Sequence, residues 1–308
     1  MKPVACLLTF VLCTAAGAQT PLQSRLQTIA AEAQGTVSMA CAYVGVPPAV
    51  TAPIAGCAIN LHGHPPMQSV FKLPLSMAVM HVLVETGRLT LDSPVRFEPR
   101  DRILPHTYSP LQDKYPSAGV AVPLRELLRL AISMSDNAAS EVLLRIVGGP
   151  QVVDEYIASL NVGGFQLRDG EGAMTADERL QYRNWWEPSS AIAVLAKLDT
   201  GKALNAADTA AVLGWMRETT TGPNRIKAGL PAGTVWRHKT GSSGIEAGVA
   251  AATNDIGLFP LPDGRVVALA IFVSDSHAGD ATREAAIAHL AQAVYEAAAS
   301  QADRPETK

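Results

Sequence analysis

The chain has 308 residues, 48% of them apolar and 17% charged, with a net charge of −3. That length holds one large domain or two ordinary ones, and the apolar share excludes a disordered chain. No basic run is present that would recruit nucleic acid or an anionic membrane surface, so neither is an expected partner.

Lys2, the apolar run 4–12 and the small residues Ala16-Gly17-Ala18 form the pattern of a secretory signal peptide over residues 1–18. The run is shorter than a bilayer-spanning helix requires. The expectation is cleavage near Ala18 and a free periplasmic or secreted protein with no membrane anchor. Cleavage leaves two cysteines, Cys41 and Cys57, in a compartment where disulfides persist.

Residues 22–34 have a helical pattern, and 36–46 and 54–61 read as the strands of a hairpin. A Cys41–Cys57 bridge across that hairpin, stabilising by about 3 kcal/mol in the chain-entropy model, and two buried free thiols both fit. Residues 67–87 read as a helix that stops at Gly87. Residues 88–122 are mixed and proline-punctuated. Three helices follow over 124–132, 137–147 and 150–160, with Gly148-Gly149-Pro150 as a junction between two of them. Residues 161–188 are polar and glycine-containing with no sustained period. A loop of that length inside a compact domain is usually functional. Helices resume over 189–198 and 206–219. Strands follow over 234–239, 248–259 and 265–274, then a last helix over 279–299 and a polar tail.

This order predicts an α/β domain built from both chain ends (19–66 and 220–308) around an inserted all-α domain (67–219, with the loop 161–188). A site is expected in the cleft between them.

Three short motifs occur in order: Ser69-Val70-Phe71-Lys72, Ser135-Asp136-Asn137 and Lys239-Thr240-Gly241. Roughly one Ser-x-x-Lys arises by chance in a chain this long, and alone it reads as a helix cap and a solvated lysine. The other two triplets are each expected in a minority of chains, and all three in order are not a chance pattern. Three residues apart on a helix puts Ser69 and Lys72 on one face. A serine hydroxyl becomes a nucleophile only when a base takes its proton. A lysine serves as that base only when neutral, a state that burial and neighbouring cations favour. Ser135 can relay a proton to a departing nitrogen, and Lys239 and Thr240 can hold an anionic substrate.

These motifs resemble those of the penicillin-recognising serine enzymes, over about residues 21–299. The longer runs Met67-Gln68-Ser69-Val70-Phe71-Lys72, Gln181-Tyr182-Arg183-Asn184-Trp185, residues 225–233 and His238-Lys239-Thr240-Gly241 look like the extended-spectrum PER/VEB-like branch of the class A serine β-lactamases. The resemblance implies the serine β-lactamase/D,D-peptidase-like fold, an antiparallel sheet flanked by helices. It implies a small-molecule β-lactam substrate, no metal, no cofactor and a monomer.

Residue by residue, it implies that Ser69 is acylated, with the oxyanion held by the N–H groups of Ser69 and Ser242. Lys72, alone or with Glu171, takes the nucleophile's proton, and Ser135 protonates the lactam nitrogen. Asn137 meets the acylamino side chain. Arg225, Lys239, Thr240, Gly241 and Ser242 line the place of the substrate carboxylate. Glu171, in Gly170-Glu171-Gly172, is the group that activates the deacylating water. It separates this reading from its rivals, a penicillin-binding D,D-peptidase and a β-lactam sensor that stays acylated. Serine esterases and glutaminases sharing Ser-x-x-Lys are more remote.

The sequence also departs from the common class A pattern. Gly172 stands where proline is usual and Thr175 where asparagine is usual. Asp169 and Asn184 occupy the positions of an Arg–Asp clasp. The expectation is a trans peptide after Glu171, a rearranged loop and a wider cavity for bulky oxyimino-cephalosporins. His62-Gly63-His64 has a zinc-like spacing but no third ligand nearby in sequence, and reads as a strand-end surface pair. Trp185 and Trp186 read as packing for the loop.

Overall fold

A computed structural model describes residues 19–45 and 49–300. The expected signal segment 1–18 and the polar tail lie outside the described residues. Helix α1 (Pro21–Ala30) is followed by strands β1 (Thr36–Val44) and β2 (Thr51–Ile59), and helix α2 (Lys72–Val79) opens the helical block. The block continues through β3 (Pro94–Phe97), α3 (Pro110–Lys114), β4 (Val120–Pro123), α4 (Leu124–Ser133), α5 (Asn137–Val147) and α6 (Pro150–Ser159). The long loop holds β5 (Phe165–Gln166), α7 (Glu171–Ala176) and β6 (Trp185–Trp186), and leads into α8 (Pro188–Asp199) and α9 (Ala206–Arg217). The chain ends with α10 (Ile226–Gly229), β7 (Arg237–Ser242), β8 (Ile245–Glu246), β9 (Val249–Ala250), β10 (Thr253–Pro260), β11 (Val266–Ser274) and α11 (Asp280–Ser300).

Five strands form one antiparallel sheet in the order β2-β1-β11-β10-β7. β1 and β11 are buried on both faces, and alternate residues enter two different cores. Met39, Cys41, Tyr43, Leu269 and Ile271 pack with α1 and α11, while Ala40, Ala42, Ala268 and Ala270 face the helical block. Those alanines leave room for α8 to lie close on the sheet, as a strand's period of two requires one face to do. α2 is buried along its whole length, which fits a helix apolar all round at the centre of its neighbours. Lys72, its first residue, is its one charged side chain.

The predicted helices and strands are present with shifted ends. β2 begins at Thr51, three residues before the sequence reading. It tolerates Pro53 because it is an edge strand, where no partner needs the missing N–H. β7 extends to Ser242 rather than ending at Lys239, because Gly241 and Ser242 pair with Asn254 and Thr253 of β10, and Gly241 runs against the turn that carries Ser69. A Cβ on Gly241 would lie 2.5 Å from the Met67 carbonyl oxygen. The four-residue α10 was not read from the sequence, being too short to show a period.

Cys41 and Cys57 form a disulfide, with Cα atoms 5.6 Å apart. Both alternatives left open by the sequence predict burial, and the bridge is the one found. With the cysteines 16 positions apart in sequence, the chain-entropy model gives about 3 kcal/mol. Urea denaturation of the protein beside its Cys41→Ala/Cys57→Ala variant should show a loss of that size. Thiol titration of the denatured, unreduced chain starting at Gln19 should find no free thiol, and two free thiols would refute the bridge.

Candidate active site

Ser69 is presented by a turn under strain. Gln68, directly before Ser69, has φ 46°, and Ser135 has φ 58°. Left-handed conformations at non-glycine residues cost roughly 1–3 kcal/mol and cluster where a site fixes a side chain. Asn254 of β10 holds the turn from below, its amide donating to the carbonyls of Pro66 (2.9 Å) and Met67 (3.2 Å).

Around Ser69 the hydrogen bonds converge. Lys72 Nζ donates to Ser69 Oγ at 2.8 Å, and Ser69 Oγ donates to Glu171 Oε1 at 2.9 Å. The lysine also lies 2.9 Å from Glu171 Oε1, donates to the Ser135 carbonyl at 2.9 Å, and bonds Asn137 Oδ1. Lys72 is fully buried and Glu171 is 5% exposed, so this ion pair is shielded from water. Ser69, Lys72 and Glu171 come from two elements 102 residues apart in sequence.

Lys239 Nζ donates to Ser135 Oγ at 2.8 Å and to the Thr240 carbonyl at 2.8 Å. Burial, then the nearby Lys72, hold Lys239 well below the usual lysine range, against the pull of Glu171 and Asp255. A lysine so depressed can exchange a proton with the hydroxyl it touches. Asp136, between Ser135 and Asn137, serves structure. Its carboxylate accepts from Ser109 Oγ (2.7 Å), the Leu111 N–H and the Ala139 N–H (2.8 Å), which caps α5 and fixes both neighbours.

On the far side, Arg225 donates to Ser242 Oγ at 2.7 Å and to the carbonyls of Gly241 (3.2 Å) and Asn254 (2.9 Å). Its Nε meets Glu284 at 3.1 Å. Its guanidinium therefore lies behind the end of β7, in contact with the Ser242 hydroxyl. Thr240 Oγ1 lies 2.5 Å from Thr221 Oγ1. A cavity of about 200 Å³ is lined by Gln68, Asn137, Glu171, Met174, Thr175 and Gln181, among others.

The loop is held by a clasp of a different chemistry from the ionic one whose residues are missing. The Asn184 side-chain oxygen accepts the N–H groups of Arg168 (2.8 Å) and Asp169 (3.1 Å), and its amide donates to the Asp169 carbonyl (2.8 Å). A buried amide can donate and accept together, so it closes the loop chiefly through backbone, with a further contact from the Asn184 amide to Met174 Sδ at 3.2 Å. Trp185 stacks on His64 with centroids 3.8 Å apart, and Trp186 is buried edge-on against Phe165. Both tryptophans pack the loop. His62 and His64 follow β2 and both reach the Glu187 carboxylate, at 2.8 and 3.5 Å.

Sequence reasoning missed Glu141, Thr221, Asp255 and the Gln68–Gln181 side-chain bond that ties the nucleophile's turn to the loop. Only Glu141 left a trace in sequence, standing four residues after Asn137 and so on the same helix face.

Residues 21–298 match the model of the β-lactamase enzyme family. The chain is 44% identical over 231 residues to the extended-spectrum β-lactamase PER-1 of Pseudomonas aeruginosa, covering 75% of this chain and 74% of that one. It is 34% identical over 239 residues to β-lactamase VEB-1 of the same organism, covering 77% and 79%. A crystal structure of a β-lactamase from Chitinophaga pinensis superposes with a TM-score of 0.83 at 38% identity, over 91% of this chain and 100% of that one. With the sheet order, the convergent site and these likenesses together, the chain belongs to the β-lactamase enzyme family, within its class A serine β-lactamases.

Proposed function

We propose that the protein hydrolyses penicillins and cephalosporins through an acyl-enzyme on Ser69. The observation that carries this is the meeting of Lys72 Nζ and Glu171 Oε1 on one serine hydroxyl, at 2.8 and 2.9 Å. Ser69 Oγ attacks the lactam carbonyl while its proton passes to Lys72 or Glu171. The oxyanion sits on the N–H groups of Ser69 and Ser242. The C–N bond breaks, and the nitrogen takes the Ser135 proton, which Lys239 or Lys72 replaces. Glu171 then takes a proton from water as its oxygen attacks the ester, and Ser69 Oγ leaves with that proton, returned by Glu171 directly or through Lys72.

Lys239, Thr240 and Ser242, with Arg225 behind Ser242, hold the substrate carboxylate, Gly241 lets β7 close on the nucleophile, and Asn137 meets the acylamino group. In this reading the described residues of the domain 19–66 with 220–308 and of the domain 67–219 face each other across this cleft. The expected state is a monomer. The Cys41–Cys57 bridge supports export to an oxidising compartment after cleavage near Ala18. Among the described residues, no helix is long and apolar enough to cross a membrane.

The test is hydrolysis of a chromogenic cephalosporin by the purified protein, with intact mass after mixing. Sustained turnover supports the reading. A single burst that leaves a stable adduct would replace it with a penicillin-binding or sensor role. The amide-clasped loop and the side-chain-free Gly244 at the cavity's edge support extended-spectrum activity. An oxyimino-cephalosporin is expected to give kcat/KM within roughly tenfold of a simple penicillin, one order of magnitude being about 1.4 kcal/mol of transition-state binding. Slow turnover of the former beside fast turnover of the latter would count against it.

A further inference from the structure

We propose that Glu141 is a positioning residue for Glu171 and acts through the backbone of the loop; this rests on the deacylating role assigned to Glu171. α5 brings Asn137 to Lys72 and, one turn on, presents Glu141 to the start of α7. There Glu141 Oε1 accepts the Gly172 N–H at 3.1 Å, and the Glu171 N–H also bonds its carboxyl. Helix α7 has no side-chain cap of its own, since its N-cap is Gly170. A helix leaves its first N–H groups without partners, and here a carboxylate from another helix supplies the acceptor.

The flanking glycines fit that contact. A Cβ on Gly170 would lie 2.4 Å from Glu141 Oε1 and 3.0 Å from Leu144 Cδ1, while one on Gly172 would touch the carboxylate at 3.8 Å. Gly170-Glu171-Gly172 is therefore seated on Glu141, and the seat sets where Glu171 reaches Ser69. Burial, then the nearby Glu171 carboxylate, push the Glu141 carboxyl above its usual range, while the two N–H groups and Lys72 pull the other way. Such a group is costly to keep beside a second acid, and the contact it makes is with the backbone of the loop.

The experiment compares wild type with Glu141→Ala, Glu141→Gln and Glu141→Asp. It uses stopped-flow turnover of a chromogenic cephalosporin, intact mass of the quenched enzyme, and thermal denaturation. Alanine is expected to slow deacylation roughly 10- to 100-fold, as an ångström-scale misplacement does, with acylation within about threefold and acyl-enzyme accumulating. Glutamine keeps the length and an acceptor oxygen, so it should restore deacylation without restoring the charge. If alanine does not fold, aspartate carries the expectation of slowed deacylation, because its carboxylate is drawn back by one methylene. Deacylation by the alanine variant at the wild-type rate would overturn the proposal. So would an equal loss in both steps that glutamine does not rescue, which would mark Glu141 as structural only. Failure of wild type itself to turn over would overturn the deacylation reading, and this inference with it.

Discussion

Glu171→Ala is expected to turn the protein into a trap for its substrate. Mixed with a chromogenic cephalosporin, the variant should give one burst equal to the enzyme concentration and then stall, with an adduct on Ser69 visible by intact mass. A general base in the transition state contributes roughly 10²–10⁴-fold, and deacylation should fall by that factor. Acylation should fall less. Lys72 still lies 2.8 Å from Ser69 Oγ and keeps acceptors in the Ser135 carbonyl and Asn137 Oδ1. Steady turnover of the variant near the wild-type rate would remove Glu171 from the mechanism.

Lys72→Ala should fail one step earlier, and it should also weaken the fold. Without Lys72, Ser69 Oγ loses its only short contact with a basic nitrogen among the described residues, and the burst rate should drop roughly 10²–10⁴-fold. Glu171, 5% exposed, would then keep a buried charge with its ion-pair partner gone. Breaking a buried pair from one side costs about 3–5 kcal/mol, which a urea denaturation curve would register. An unchanged burst rate would refute the role of Lys72 as base, whatever the stability. Together the two variants separate the steps, the first arresting after the adduct and the second before it.

Much of the fold was legible because it rests on period and punctuation. The continuous apolar runs of β1 and β11, the run around α2 and the helices α4 to α6 carry their burial pattern in sequence. The elements that slipped depend on neighbours far along the chain. β2 could start before Pro53 only because no strand lies on its outer side. β7 runs through Gly241 because β10 pairs with it there, and Met67 lies too close for any side chain at that spot. The helix α7 inside the long loop has six residues, too few for a period, and it is capped by a residue outside it.

The candidate site divides the same way. Ser69 and Lys72 are local: three residues on one helical turn place both side chains, and the sequence by itself determined that pairing, the three motifs and the family they resemble. It also determined which residues of the loop depart from the common class A pattern. Only the tertiary structure decided that the Cys41–Cys57 bridge closes and that Asn184 clasps the loop through backbone. The same holds for Arg225, which stands behind Ser242, and for Glu141 beneath Glu171. The physical reason is range. A helical turn fixes neighbours within about 5–6 Å from spacing alone. A contact such as Ser69 to Glu171, across 102 residues of chain, exists only after two cores have packed and brought their surfaces together.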